Sequence, residues 1–498
     1  MALTKVRNLQ IANSEANVVD YGADPTGTSD STAAIQAAID AGSNVIVFPA
    51  GTYLTTAVIN VNSNQTLLGH QATITAADGD FHDCFSVVSK DNVTFEGLRI
   101  LATDGDDAFD IAIFIQDCTN VTVNNCYIHN IGIDDAGEAG GFGVYCRASD
   151  NTVTPVYGTV GNFNIRVTNN TITKIKGYGT GRGDAVYMRS TQGSIISQNK
   201  LGETRRMTIA VTDFSNDIRI SDNYIYDCYI AGIDFEPNQI PTVTGESYIS
   251  NNVIRNFAIK PAGFVGSQFQ GIDIRGGVDR MVVDGNIIIA ENSQSDYCIK
   301  MQNSAGDTVI SNNILSCLSN ASEGMRLFSG SGAINLNITG NEIIDFTSSG
   351  VFASDAELVT INNNIIKTSS SSAGTGIRVG GGTTQSIISA NLLELDDVST
   401  SAIYAQNNQN TTISSNNITV ASGDGIYVYS SAGSVTDGSA VLIGNTYVKG
   451  GTTGNTALKI EAVTGSSIDY IAGGNSLINA TTDIDDIGSA TRTTGTFV

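Results

Sequence analysis

The chain of 498 residues contains no tryptophan, six prolines and three histidines, and charged residues make up only 15% of it. Lysine and arginine number 25 against 49 acidic residues, a formal charge of −24. Phosphate binding is built from clustered cations, so this balance argues against a nucleic-acid partner. No apolar run approaches membrane-spanning length, which argues against membrane insertion. His70, His82 and His129 are scattered, so a His-centred site has little support. The seven cysteines (Cys84, Cys118, Cys126, Cys146, Cys228, Cys298, Cys317) are odd in number and lack metal-site spacing. They read as small buried hydrophobes of a chain made in a reducing cytoplasm, and no metal site is expected from them. Leu-rich amphipathic stretches are nearly missing, so the expected class is all-β. The N-terminus, MALTKVRNLQIANSEA, has no apolar segment of the signal-peptide kind.

What is present is a repeat. Asn125, Asn170, Asn199, Asn223, Asn252, Asn286, Asn313, Asn341, Asn364, Asn391, Asn417 and Asn445 each follow a β-type tripeptide and precede Ile, Leu, Val or Tyr. Most neighbours are roughly 23 to 34 residues apart, and Gly69 and Gly97 extend the series towards the N-terminus. A β-rich repeat of this length predicts a solenoid with one turn per repeat. The asparagines should stack as an internal ladder at a tight turn. Asn tolerates the left-handed backbone there, and its amide bonds to the copies on either side.

Residues 1–16 form a polar leader. Residues 17–60 then supply an opening strand, a Gly/Pro turn, a short helix and a second strand. Asp30 or Ser31 is the expected N-cap, Ile35, Ala38 and Ile39 the apolar face, and Gly42 the stop. Such a helix covers the open end of a solenoid, which otherwise exposes its core and an unpaired edge. The segments DYGADPTGTSDSTAAIQAAID and VIVFPAGTY resemble the opening of the pectate-lyase-like parallel β-helix superfamily. Together with the leader, they resemble a bacteriophage tailspike or depolymerase. The resemblance implies an all-β, right-handed, single-stranded parallel β-helix with an N-terminal capping helix. It also implies a virion tail location, a polysaccharide partner and a homotrimer. The helix is expected over 61–450, and residues 451–498 form C-terminal turns of unassigned role.

Each repeat carries a second strand, as in FGVYCR, DAVYMR, MTIAVTD, GIDFEP, GIDIRG, CIKMQN and GMRLFS. Alternation points Val144, Val186, Ile209, Ile233, Ile272, Ile299 and Met325 into the core. One outward column reads Tyr145, Tyr187, Ala210, Asp234, Asp273, Lys300, Arg326, and the other Arg147, Arg189, Thr212, Glu236, Arg275, Gln302, Phe328. Adjacent turns lie about 4.8 Å apart, so Asp234, Glu236 and Asp273 are expected to converge as the catalytic group. Three carboxylates so close raise at least one pKa, which gives the acid and base that glycoside hydrolysis needs. Glu236 to Asp273 is a diagonal of roughly 8 Å, in the inverting range, and Asp234 to Asp273 is nearer the retaining range. Tyr145 and Tyr187 are candidates for stacking on sugar rings. Arg147, Arg189, Arg275, Lys300 and Arg326 are candidates for holding acidic substituents. Asp184, Arg205 and Arg206 stand at strand starts on the two turns before the acids. TRRMTIAV followed by AGIDFEPNQ resembles a pairing in polysaccharide-acting β-helix proteins, which implies Asp234 and Glu236 as the functional pair.

The expected activity is hydrolysis of a bacterial surface or extracellular polysaccharide, without a cofactor. The alternatives are a polysaccharide lyase, with Arg275 or Lys300 as base and Ca²⁺ on the acidic patch, and a non-catalytic glycan-binding spike. The plainer readings make the acids solvated surface residues and Arg275 a surface partner of Glu236 or Asp273. The acidic run Asp104, Asp106, Asp107 and Asp110 reads as a solvated loop or a Ca²⁺ site.

Overall fold

The computed structural model describes residues 15–77, 82–102, 109–133, 140–177, 182–236, 245–259, 269–276, 280–302, 307–328, 334–369, 373–431, 438–449, 456–463, 467–478, 482–488 and 490–492. Short β-rich segments separated by left-handed corners give three strands per turn, for example Thr119–Asn124, Tyr127–Ile131 and Phe142–Arg147. Each strand pairs in parallel with its counterpart one turn on, as in Val123↔Val167, Ile128↔Ile172 and Val144↔Val186. The result is an all-β parallel solenoid.

The chain divides into two compact units, Met1–Tyr248 with Lys260–Val265, and Ile249–Ile259 with Gly266–Val498. The second is built like the first, with pairs such as Val282↔Val309, Ile287↔Ile314 and Ile299↔Met325. Its pattern continues to Ala490–Arg492, which pairs with Ile468–Gly473. In both units the alternation places the residues predicted for the core there. Val144, Val186, Ile209, Ile233, Ile272, Ile299 and Met325 are all fully buried. All seven cysteines are buried and free, and burial pushes the thiols of Cys84, Cys118, Cys126, Cys146 and Cys228 up.

The capping helix spans Thr32–Asp40 and buries Ile35, Ala38 and Ile39. The Asp30 carboxylate accepts from the Thr32 N–H (2.9 Å) and so serves the helix start, although Ser31 occupies the N-cap position. Gly42 ends the helix with φ +84°. The opening strand is shorter than the sequence suggested. It covers only Ala16–Asn17, because the Asn17 side chain accepts from the Val19 N–H (3.0 Å) and starts a 3-10 turn over Val18–Tyr21.

The asparagine ladder forms, with its phase corrected. In the first unit Asn170, Asn199 and Asn223 stack. In the second the stack runs Asn252, Asn286, Asn313, Asn341, Asn364, Asn391, Asn416, Asn445, Asn475. Each link repeats one geometry. Asn313 Nδ2 donates to Asn341 Oδ1 and to the Val283 carbonyl (both 2.9 Å), and its N–H also donates to Asn341 Oδ1 (3.0 Å). Two predicted members are displaced. Cys126 takes the rung assigned to Asn125, its N–H donating to Asn170 Oδ1, and Asn416 takes the rung assigned to Asn417. The left-handed residue is not the ladder asparagine but the one before it. That position holds Asn169, Gln198, Asp222, Asn251, Gly285, Asn312, Gly340, Asn363, Ala390, Ser415, Gly444 and Gly474. The corner therefore tolerates several residue types, while the ladder needs a buried amide. An Asn313→Ala change strands donors and acceptors at about 1–3 kcal/mol for each uncompensated group. It should lower the thermal midpoint clearly, whereas Asn337→Ala on the exposed face of the strand Asn335–Thr339 should leave it nearly unchanged; circular dichroism melts check both.

Candidate functional site

In the first unit the strands Phe142–Arg147, Asp184–Arg189, Met207–Thr212 and Ala231–Glu236 lie side by side. Their registers form the two columns expected from alternation: Tyr145↔Tyr187↔Ala210↔Asp234, with Arg189↔Thr212↔Glu236 beside it. Phe142 stacks on Tyr145 (ring centroids 4.6 Å apart), and Tyr187 meets both edge-on at 5.4 and 5.2 Å. Thr212 Oγ1 donates to the Tyr187 hydroxyl (3.1 Å) and fixes that ring. The three rings form one aromatic platform.

Beside the platform Asp184 is fully buried and held by a forked ion pair. Arg206 Nε donates to Asp184 Oδ1 (2.9 Å) and Nη2 to Oδ2 (2.6 Å), while the Met207 N–H also reaches Oδ1 (2.9 Å). The Arg206 guanidinium lies over Tyr187, 5.5 Å from its centroid. Burial pulls the Arg206 pKa down, but the charges of Asp184, Tyr187 and Asp234 hold it above the ordinary arginine range. Asp234 is only 2% exposed, and Glu236, two residues on, is half-buried. The predicted cations go separate ways. Arg147 is exposed, bonded to Gln116 Oε1 (3.1 Å) and near the Phe114 ring. Arg189 pairs with Asp213, and Arg205 turns to Tyr229.

In the second unit Asp273, Lys300 and Arg326 share one column. Asp273 is fully buried, and its Oδ2 accepts from Arg275 Nε (2.5 Å) and from Gln270. Arg275 is thus a partner of Asp273, but not the solvent-screened surface pair the sequence allowed, because the acid is shut away from water. Lys300 is 1% exposed. Arg326 Nη1 donates to the Tyr297 hydroxyl (2.7 Å), and its Nε lies 3.4 Å from Glu323. Column members were expected on an open surface. Asp234, Asp273 and Lys300 do face outward from the core, yet they are covered.

Residues 16–234 match the family model described as rhamnogalacturonase A/epimerase, pectate lyase-like, and residues 245–393 match the right-handed β-helix region model. The fold is a right-handed parallel β-helix, pectate-lyase-like over residues 16–234. No curated protein matches it. Among solved structures it is similar to the N-terminal fragment of bacteriophage Phi29 gene product 12, at 13% identity and a TM-score of 0.48 over 94% of this chain and 93% of that one. The A-module of mannuronan C-5 epimerase AlgE4 from Azotobacter vinelandii is similar at 17% identity and a TM-score of 0.47 over 77% and 96%. The Dettilon tailspike protein is similar at 16% identity and a TM-score of 0.42 over 90% and 68%.

Three acids of this β-helix were missed from the sequence. Asp83 is raised to about 6 by burial and by Asp110, against the charges of Arg182 and Arg147. Glu323 is raised to about 7 by burial, which outweighs Arg326 and Arg378. Asp296 is raised by burial in spite of Lys300 and Arg326. A signal for Glu323 existed: Gln270, Tyr297 and Glu323 stand in register one residue before the aligned strands. Of the acidic run, Asp110 forms an ion pair with Arg182 (2.9 Å), and Asp104, Asp106 and Asp107 lie outside the described residues. Among the described residues no group of three or more His, Cys, Asp or Glu is placed to hold a metal ion.

A raised folded-state pKa makes Glu323 stabilise the fold most when protonated, below its unfolded value. That contribution is lost as pH rises through about 7. Glu323→Gln should therefore be at least as stable as the parent at pH 8 and lose its advantage below about pH 4.5, near the unfolded value. Denaturation midpoints measured across this range check the crossover.

Proposed function

We propose that the face carrying Tyr145, Tyr187, Arg206, Asp234 and Glu236 binds and hydrolyses a polysaccharide. The observation that carries this is the join of an aromatic platform to a carboxylate pair on one set of registered strands. Sugar rings have apolar C–H faces that bury well on aromatic rings. Asp234 and Glu236 are i, i+2 on one strand, about 6.5–7 Å apart at Cα, a separation on which a glycosidic oxygen and a water can be handled by different groups. Glu236, half-buried, is the member that meets the leaving oxygen as general acid. Asp234, which Arg206 senses, takes the base role, and Asp184 positions Arg206. Arg147 sits exposed beside the platform and suits an acidic substituent on the substrate. The pectate-lyase-like family model over residues 16–234 supports a carbohydrate as the substrate class. On this reading the protein is a tailspike-type depolymerase of a bacterial surface or extracellular polysaccharide, acting as a homotrimer.

One observation favours a second reading, elimination at a uronate. Lys300 is buried in register between Asp273 and Arg326, and a dry amine next to a guanidinium is an arrangement suited to taking a proton beside a neutralised carboxylate.

Incubation with a panel of acidic and neutral bacterial polysaccharides, following reducing ends and ultraviolet absorbance together, tests both. Hydrolysis gives reducing ends without absorbance, and the Asp234→Asn/Glu236→Gln variant should lose at least about a hundredfold in rate. New absorbance that survives in this variant and disappears in Lys300→Met would replace hydrolysis with elimination.

A further inference from the structure

A second surface of the first unit has the chemistry of a sugar site and lies away from the platform. It is a groove of about 370 Å³, a size typical of small-ligand sites, on the sheet containing Asn162–Phe163, Thr191–Ser197 and Asn216–Ser221. Tyr157 forms its wall at 71% exposure and packs edge-on against Phe163, with centroids 5.3 Å apart.

The loop that holds Tyr157 up is built rather than loose. The Asp117 carboxylate accepts from the Ser149 N–H (3.1 Å) and from the Gly161 N–H (2.7 Å), and so clamps both ends. Val156 and Val160 bridge across the tip, exchanging hydrogen bonds of 2.7 and 3.0 Å. A loop anchored in this way usually hides its apolar residues, yet Val153, Val156 and Tyr157 are all exposed.

The floor is equally specific. Gly193 adopts φ +58°, between Asn164 at +54° and Asp217 at +51°. A Cβ at Gly193 would meet only Asp217 Oδ2, at 3.9 Å, so the missing side chain leaves an opening. Gln192 lines the groove, and its Nε2 is buried with no hydrogen-bond partner among the described residues. A buried amide N–H without an acceptor is costly unless a ligand supplies one. Asp217 adds an acceptor for hydroxyls, and among the described residues no lysine or arginine lines the groove.

We propose that this groove binds a neutral saccharide segment, stacked on Tyr157 and hydrogen-bonded by Gln192 and Asp217. The lone carboxylate repels uronates, and the aromatic wall with amide and carboxylate partners fits an uncharged, hydroxyl-rich ring. The site would hold the polymer on a surface separate from the one proposed to cut it, and it stands whether or not Asp234 and Glu236 are catalytic.

Affinity electrophoresis in gels containing dextran, mannan or, as the acidic contrast, alginate tests it, using the Asp234→Asn/Glu236→Gln background so that cleavage does not erase binding. Retardation in at least one neutral gel is expected. It should weaken about tenfold on adding Tyr157→Ala, a change at a side chain that is 71% exposed, and also weaken on adding Gln192→Leu. No retardation in either neutral gel, or retardation that Tyr157→Ala leaves unchanged, would overturn the proposal. Loss of cleavage in the parent protein with retardation intact would count against the hydrolase reading and leave this site standing.

Discussion

A buried side-chain amide must find a donor and an acceptor at every turn, and within each unit the other features depend on its doing so. Each ladder asparagine is 0–2% exposed where it is buried in the stack, from Asn170 to Asn445, and each receives and donates along the axis. Leaving one such group unsatisfied costs more than a typical hydrogen bond contributes, so the ladder fixes the phase of successive turns. Once that phase is fixed, strand registers follow residue for residue, and side chains far apart in sequence align in columns. Slipping one strand by a single residue would turn its core set outward and break the ladder at the same time. Chemistry on this fold is therefore a matter of which residues the columns bring side by side.

Those columns place charge where water is scarce. Asp184 in the first unit and Asp273 in the second are fully buried, each in contact with an arginine. A buried pair of this kind offers little net stability, because desolvation offsets most of the attraction. What it supplies is rigidity: Arg206 is held by two contacts to Asp184, so its guanidinium lies over Tyr187 in a fixed position. The Tyr187 side of the platform is thus backed by a fixed guanidinium, the kind of preorganisation that suits a binding surface.

Much of this was legible in the sequence. The capping helix, the inward set from Val144 to Met325 and the order of both outward columns within each unit follow from periodicity, because alternation in a parallel ladder leaves little freedom. The phase of the asparagine repeat was harder to read. The corner residue and the rung are neighbours, and pairs such as Asn416 and Asn417 look alike in one dimension. Burial of Asp234, Asp273 and Lys300 was not readable either, since facing away from the core does not specify what covers a side chain. Asp83 escaped notice because nothing in its local sequence marks it, and Glu323 because its signal lies one residue before the strands that were aligned. Their raised pKa values come from burial and from acids elsewhere in the chain, Asp110 for Asp83 and Asp296 for Glu323.

The central claim is that the Tyr145–Tyr187 platform and the Asp234–Glu236 pair form one substrate surface. A crystal structure of the Asp234→Asn variant with a fragment of the cleaved polysaccharide tests it most directly. The account predicts sugar rings lying on Tyr145 and Tyr187, with a glycosidic oxygen within hydrogen-bond reach of Glu236. An ordered fragment bound elsewhere on the chain, with the platform bare, would contradict it.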